Sequence, residues 1–169
     1  MRQTVRIAFF ASLAAALGFL LSPLPNLELV TFTLFLAGAL LGWAGGCAAA
    51  LLAVLLYFGL NPYGSSFLFP PLLLSQLAAG LLVASLGAAF GRLAPPAGWP
   101  RRLLLIPFAA LAALCFPLLP TLGFALMGGG SWQGWMVLGL LMTGWGFAFN
   151  LLIFLGSYEP LMRRMERAA

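Results

Sequence analysis

The sequence predicts an all-α integral membrane protein, a compact bundle of six transmembrane helices with both termini in the cytoplasm. Three observations lead there. Of 169 residues, 63% are hydrophobic and 7% charged, with a mean hydropathy of +1.09, a composition from which no water-facing surface could be built. Apolar runs recur along the whole chain, separated by short breaks rich in proline, glycine and asparagine. All eight basic residues are arginines, grouped at positions 2 and 6, 92 to 102, and 163 to 167.

The first apolar run, 5–21, follows Arg2 and Arg6 and is filled with small residues, as a signal peptide would be. No clear cleavage site follows it and apolar runs continue to the end, so it reads as a retained helix. Residues 29–60 carry no charge, and one straight helix of that length would measure about 48 Å against a bilayer core of about 30 Å. The only punctuation inside is Gly42-Trp43-Ala44-Gly45-Gly46, which predicts a tight hairpin between helices at 27–43 and 46–60. "NPYGSSFLFP" (61–70) is the next turn. A helix over 71–93 follows, with proline tolerated in its first turn. The polar loop "APPAGWPRR" (94–102) precedes a helix over 103–119, the stretch from Pro117 through "GGGSWQG" reads as broken, and a last helix covers 134–156.

With six spans every arginine falls on one side, which the positive-inside rule makes cytoplasmic. The net charge of +5 and pI near 10.3 therefore report topology, not affinity for nucleic acid. No linker, second domain or fixed-period repeat is visible, so residues 1–169 form a single membrane domain.

Absent residue types exclude much chemistry. The chain has no His, Asp or Lys, and Glu159 and Glu166 fall in the predicted cytoplasmic tail. A histidine-based metal site, a Ser-His hydrolase, an intramembrane aspartyl protease and a buried carboxylate relay all lack their parts. The expectation is a protein that is not an enzyme, with no catalytic residues, metal or cofactor. Cys47 and Cys115 read as small packing residues inside spans. No Gly-x-x-x-x-Gly-Lys-[Ser/Thr] loop is present, so any ATP-driven step needs a partner.

Polar residues are distributed unevenly. Asn26, Glu28, Thr31, Asn61, Tyr63, Ser65, Ser66, Ser75, Gln76, Trp132, Gln133 and Trp135 all fall on the predicted outer side. Carboxylate, amides, hydroxyls and aromatic faces converging at one end of a bundle are what a small-molecule pocket needs. Glu28 has two readings: an acid pairing with a donor on a ligand, or a solvated charge favoured by a helix amino terminus. Trp132 and Trp135 suit an interfacial belt as well as a pocket, as Trp43 and Trp99 suit a belt on the inner side. Trp145 and Asn150 lie deeper; core packing accounts for the first, and an interhelical hydrogen bond is favoured over a ligand contact for the second. Small residues at four-residue spacing, Ala11/Ala15 and Ala14/Gly18, Gly38/Gly42, Gly80/Ala84/Ala88 and Gly87/Gly91, predict close helix packing; an outward-facing row on the first helix would instead dock another membrane protein.

"PNLELVTF" leading into a glycine-rich helix, then "NPYG" and the helix start "PPLLLSQ", resembles the substrate-binding S component of energy-coupling factor (ECF) vitamin transporters, over nearly the whole chain and most clearly over 23–92. The resemblance implies a bacterial or archaeal cell-membrane protein that captures a vitamin or precursor from outside. Its partners would be a transmembrane coupling subunit and two cytoplasmic ABC ATPases, with surrounding lipid and no nucleic acid. The family's Ala-x-x-x-Ala docking motif matches Ala11 and Ala15, with Ser12/Ala16 and Ala14/Gly18 as rival registers. The family's pocket maps onto the outer loops and helix ends carrying Asn26, Glu28, Asn61, Tyr63 and Gln76. Nickel and cobalt members carry an amino-terminal Met-His segment, which a chain without histidine cannot supply. One candidate anion and no outer cation suit a neutral or positively charged ligand. The alternatives are a small-solute channel, which would need polar faces along entire helices, and a structural subunit, which would need no convergent pocket.

Overall fold

The structure, a computed structural model, describes the chain apart from residues 1, 23–28, 62, 63, 97, 129–131 and 169; within the last helix it leaves out the side chains of 132, 135, 136, 138–143, 145 and 165–168. It is an all-α membrane protein of several spans. Five α-helices run in order: α1 (Gln3–Leu21), α2 (Leu29–Gly59), α3 (Pro70–Leu93), α4 (Trp99–Leu126) and α5 (Trp132–Ala168), with a 3-10 turn at Ser66–Leu68. The expectation of six transmembrane helices is thereby corrected. Among the described residues four helices, α1 to α4, are long and apolar enough to cross a membrane by length and composition.

The physical reasons lie in three places. Of the glycine-rich segment read as a loop, only Gly42 leaves helical geometry, at φ 72° and ψ −175°, a conformation open to glycine because it has no Cβ. The helices expected at 27–43 and 46–60 are therefore one element, kinked at a single residue. In α4, Pro107, Pro117 and Pro120 are accommodated inside the helix, so it runs well past the expected 103–119. In the same way α5 continues through Pro160, where the expected helix stopped at 156.

The kink turns the second arm of α2 back along the first. A methyl group on Gly46 would meet the Cα of Gly38, eight residues earlier, whereas a straight helix would hold the two about 12 Å apart. Both arms lie against α3. A side chain at Gly38 would run into the backbone of Ala84 and Ala88, one at Gly87 into that of Phe35, and one at Gly91 into that of Ala39. Between helices in a bilayer, where burying apolar surface gains little, such backbone approach supplies dispersion contact over a long seam. Of the predicted small-residue rows, Gly38, Gly80/Ala84/Ala88 and Gly87/Gly91 thus lie in the α2–α3 interface.

α1 packs on α2, through Ala11, Ala14, Ala15 and Gly18. On the other flank α4 lies between α3 and α5. Between α2, α3 and α5 an aromatic cluster fills the interior: Phe35 meets Phe90, Phe154 and Tyr158 with ring centroids 5.6, 5.0 and 6.2 Å away, and Phe32 also meets Phe154, at 5.2 Å.

The arginines collect around the kinked end of α2. Arg6 shares a cavity with Leu40 and Leu41, Arg92 shares one with Trp43, and Arg101, just beyond the α3–α4 connection, bonds Glu159. At the opposite end of α3, Ser65 donates a hydrogen bond to the Gly59 carbonyl at 2.5 Å and accepts one from the Phe67 amide, closing the turn between α2 and α3. Single cysteines at Ser65 and at Gly98, in a background without Cys47 and Cys115, should accordingly react with an impermeant thiol reagent from opposite faces of the membrane. Labelling of both from one face would contradict the path of α3.

Candidate functional site

The expected ligand site falls at the end away from the arginines. The aromatic cluster gives the level from which its residues are placed. Phe35 sits beside both Gly87 and Phe154, so one helical turn toward the arginine-free end Thr31 of α2 and Asn150 of α5 share a level. Gln76 of α3 stands about 10 Å farther out, at 1.5 Å per residue from that level. All three are buried, at 1%, 5% and 6% of full exposure. Polar side chains so placed in an apolar interior need partners.

They do not all have them. The Asn150 Nδ2 donates to the Gly146 carbonyl at 3.0 Å, a bond within its own helix where an interhelical one was expected, and its Oδ1 has no hydrogen-bond partner among the described residues. The Gln76 Oε1 is likewise buried without one. An unmatched buried acceptor costs about 1–3 kcal/mol; Glu159 Oε2, near the arginines, is a third buried acceptor without a hydrogen bond among the described residues. What the Gln76 and Asn150 oxygens can do chemically is accept hydrogen bonds from N–H or O–H groups entering from the outer end.

The remaining expected site residues divide as follows. Asn26, Glu28 and Tyr63 lie outside the described residues, as do the side chains of Trp132 and Trp135. Asn61 sits in the turn after α2, where its carbonyl accepts from the Gly64 amide at 3.1 Å. Gln133 is exposed on the first turn of α5. Ser66 is buried, and the Ser75 hydroxyl is spent on the Leu72 carbonyl at 2.7 Å. Thr31 and Gln76 are therefore the expected residues that the structure brings into the outer interior, and Asn150 joins them. Ala11 and Ala15 face α2 and are 2% and 5% exposed; the small-residue row that α1 leaves open is Ala8, Ser12 and Ala16.

A second polar group was missed by sequence reasoning. Glu159, read as a tail residue, is 1% exposed, and its Oε1 accepts a hydrogen bond from Arg101 Nε at 2.8 Å. Arg101, read as a loop residue, is 6% exposed, and its guanidinium carbon lies 5.9 Å from the centre of the Tyr158 ring. The pair is 58 residues apart in sequence, and neither residue carries a local signal of the other. It clasps the start of α4 to the last part of α5.

Removing one member of a buried ion pair strands the other charge and costs about 3–5 kcal/mol, while replacing both by apolar residues is often neutral. Glu159→Gln should therefore lower the thermal midpoint sharply, and the double variant Arg101→Met, Glu159→Leu should recover most of the loss in the same detergent. An unchanged midpoint for the single variant would show that the clasp contributes little. Compared with protein-family models, curated proteins and solved structures, the chain matches none, so its functional reading rests on its own residues.

Proposed function

We propose that the protein is the substrate-binding S component of an ECF-type importer in a bacterial or archaeal cell membrane. It captures a vitamin-like molecule at the arginine-free end and passes it inward through a coupling subunit driven by two ATPases. The observation that carries this reading is the pair of buried acceptor oxygens, Gln76 Oε1 and Asn150 Oδ1, without hydrogen-bond partners among the described residues. Both are explained if the interior is finished by a ligand that donates to them. Acceptors near the ligand, and no arginine at that end, favour a neutral or cationic molecule over an anion. Glu28 would add the one negative charge, as a charge-assisted hydrogen bond to that ligand.

Energy comes from outside the chain, which has no phosphate-binding loop of its own. The partner's helices approach α1, which packs on α2 alone among the bundle's helices and presents Ala8, Ser12 and Ala16 outward. The docking register is then Ser12/Ala16, since Ala11 and Ala15 are covered by α2.

Mass spectrometry of whatever co-purifies with the detergent-solubilised protein identifies the ligand, and calorimetry with that compound tests the site. Gln76→Leu should weaken binding about tenfold while leaving the ligand-free protein as stable or more so, because an unmatched acceptor is removed. Glu28→Gln should weaken it about ten- to a hundredfold, as a charge-assisted bond is worth about 1.5–3 kcal/mol. Unchanged affinity in both variants would remove the pocket from this end of the molecule.

Docking is tested separately. Ser12→Leu with Ala16→Leu adds bulk on the open face of α1, so complex formation and transport should fall while ligand binding by the isolated protein persists. Loss of binding in that variant would show the row to be internal packing.

A further inference from the structure

The arginine-bearing end holds a cleft that the transport reading leaves unused. Arg102 from the first turn of α4 and Arg163 and Arg164 from the last turns of α5 line a cavity of about 260 Å³ whose inner wall is Glu159 and Pro160. Positive-inside topology explains why arginines lie at this end, but not why three from two helices face one cavity.

The electrostatics of the cleft are set by the clasp behind it. Glu159 is the only carboxylate among the described side chains, and its charge is matched by Arg101 at 2.8 Å. Arg163 Nε lies 3.6 Å from the other carboxylate oxygen, attracted but too far for a hydrogen bond. Arg102 and Arg164 thus line the cavity without an ion pair to a described carboxylate, while Arg163 shares Glu159 with Arg101, so three guanidinium groups face one carboxylate already matched by Arg101. Each offers planar paired N–H donors, the geometry that matches phosphate oxygens.

The surroundings say where such a phosphate comes from. Ile106 lies one turn deeper into the bilayer than Arg102 on α4, and Leu152 and Leu155 lie deeper than Pro160 on α5; all three are exposed, at 42%, 66% and 39%. An apolar flank therefore rises from the rim of a cationic cleft, at the depth where a headgroup passes into acyl chain. We infer that the cleft formed by Arg102, Arg163 and Arg164 is a binding site for the phosphate group of an anionic phospholipid, with acyl chains lying along α4 and α5.

The test compares two triple variants of equal charge change, Arg102→Gln/Arg163→Gln/Arg164→Gln in the cleft and Arg2→Gln/Arg6→Gln/Arg92→Gln elsewhere. Native mass spectra of the full chain are recorded from micelles holding equal phosphatidylglycerol and phosphatidylcholine of the same acyl length. The unaltered protein should retain phosphatidylglycerol preferentially; the cleft triple should bind it about tenfold or more weakly, and the control triple should keep its preference. Arg164→Gln alone, at an exposed side chain outside the ion pair, should lose affinity in the same direction, which guards against a misfolded triple. Equal losses in both triples, or no lipid preference in the unaltered protein, would overturn the site. Inorganic phosphate is added in a parallel arm: if it raises the thermal midpoint in an arginine-dependent way and phosphatidylglycerol does not, the site takes a soluble phosphate and the lipid assignment falls.

Discussion

The rest of the molecule depends on the backbone contact between α2 and α3. Lipid removes most of the hydrophobic drive that holds helices together in water, and what replaces it is proximity. Gly38 against Ala84 and Ala88, Gly87 against Phe35 and Gly91 against Ala39 bring main chains within reach of one another over about two turns of α3. The second arm of α2 joins the seam at Gly80, where an added methyl group would meet Val54 and Ala50, and this requires the chain to reverse at the kink. Gly42 permits the reversal, and Gly46 against Gly38 lets the arms close up behind it. α1 then has one surface to rest on, and α4 and α5 add the other flank.

Polar groups are arranged around this frame in two ways. At the arginine-bearing end Glu159 and Arg101 pair charge with charge beside the Tyr158 ring, although Glu159 Oε2 keeps no hydrogen bond among the described residues. In the outer half, Gln76 and Asn150 keep acceptor oxygens that nothing described in the chain satisfies. The first arrangement is an ion pair that joins two helices. The second is the one that the proposed ligand would complete.

Much of the fold was legible because some boundaries are chemical. α1 and α3 lie within two residues of the spans read from sequence, since the apolar run ending at Leu21 and the pair Pro70 to Pro71 bound them. α2 was misjudged because five punctuating residues suggested a loop where one glycine suffices. α4 was cut short because the stretch from Pro117 reads as broken, yet the helix continues through Pro117 and Pro120, and α5 runs past the expected end at 156 through Pro160. In the site, Gln76 stood out as an amide in an apolar helix, but its lack of a partner is a property of three dimensions. The clasp was invisible for the same reason: Arg101 looks like topology and Glu159 like a tail.

The clasp also has a consequence for the order of assembly. Arg101 is synthesised with the start of α4, 58 residues ahead of Glu159. The helices α1 to α3 can settle along their glycine seam during synthesis, but the start of α4 acquires its buried counter-charge only once α5 has been made as far as Glu159. A chain truncated within α5 would thus hold a finished first half and an unfinished second one, with Arg101 at the membrane boundary as the signal that distinguishes them. For membrane quality control, the part of α5 that carries Glu159 decides whether the second half of the bundle counts as folded.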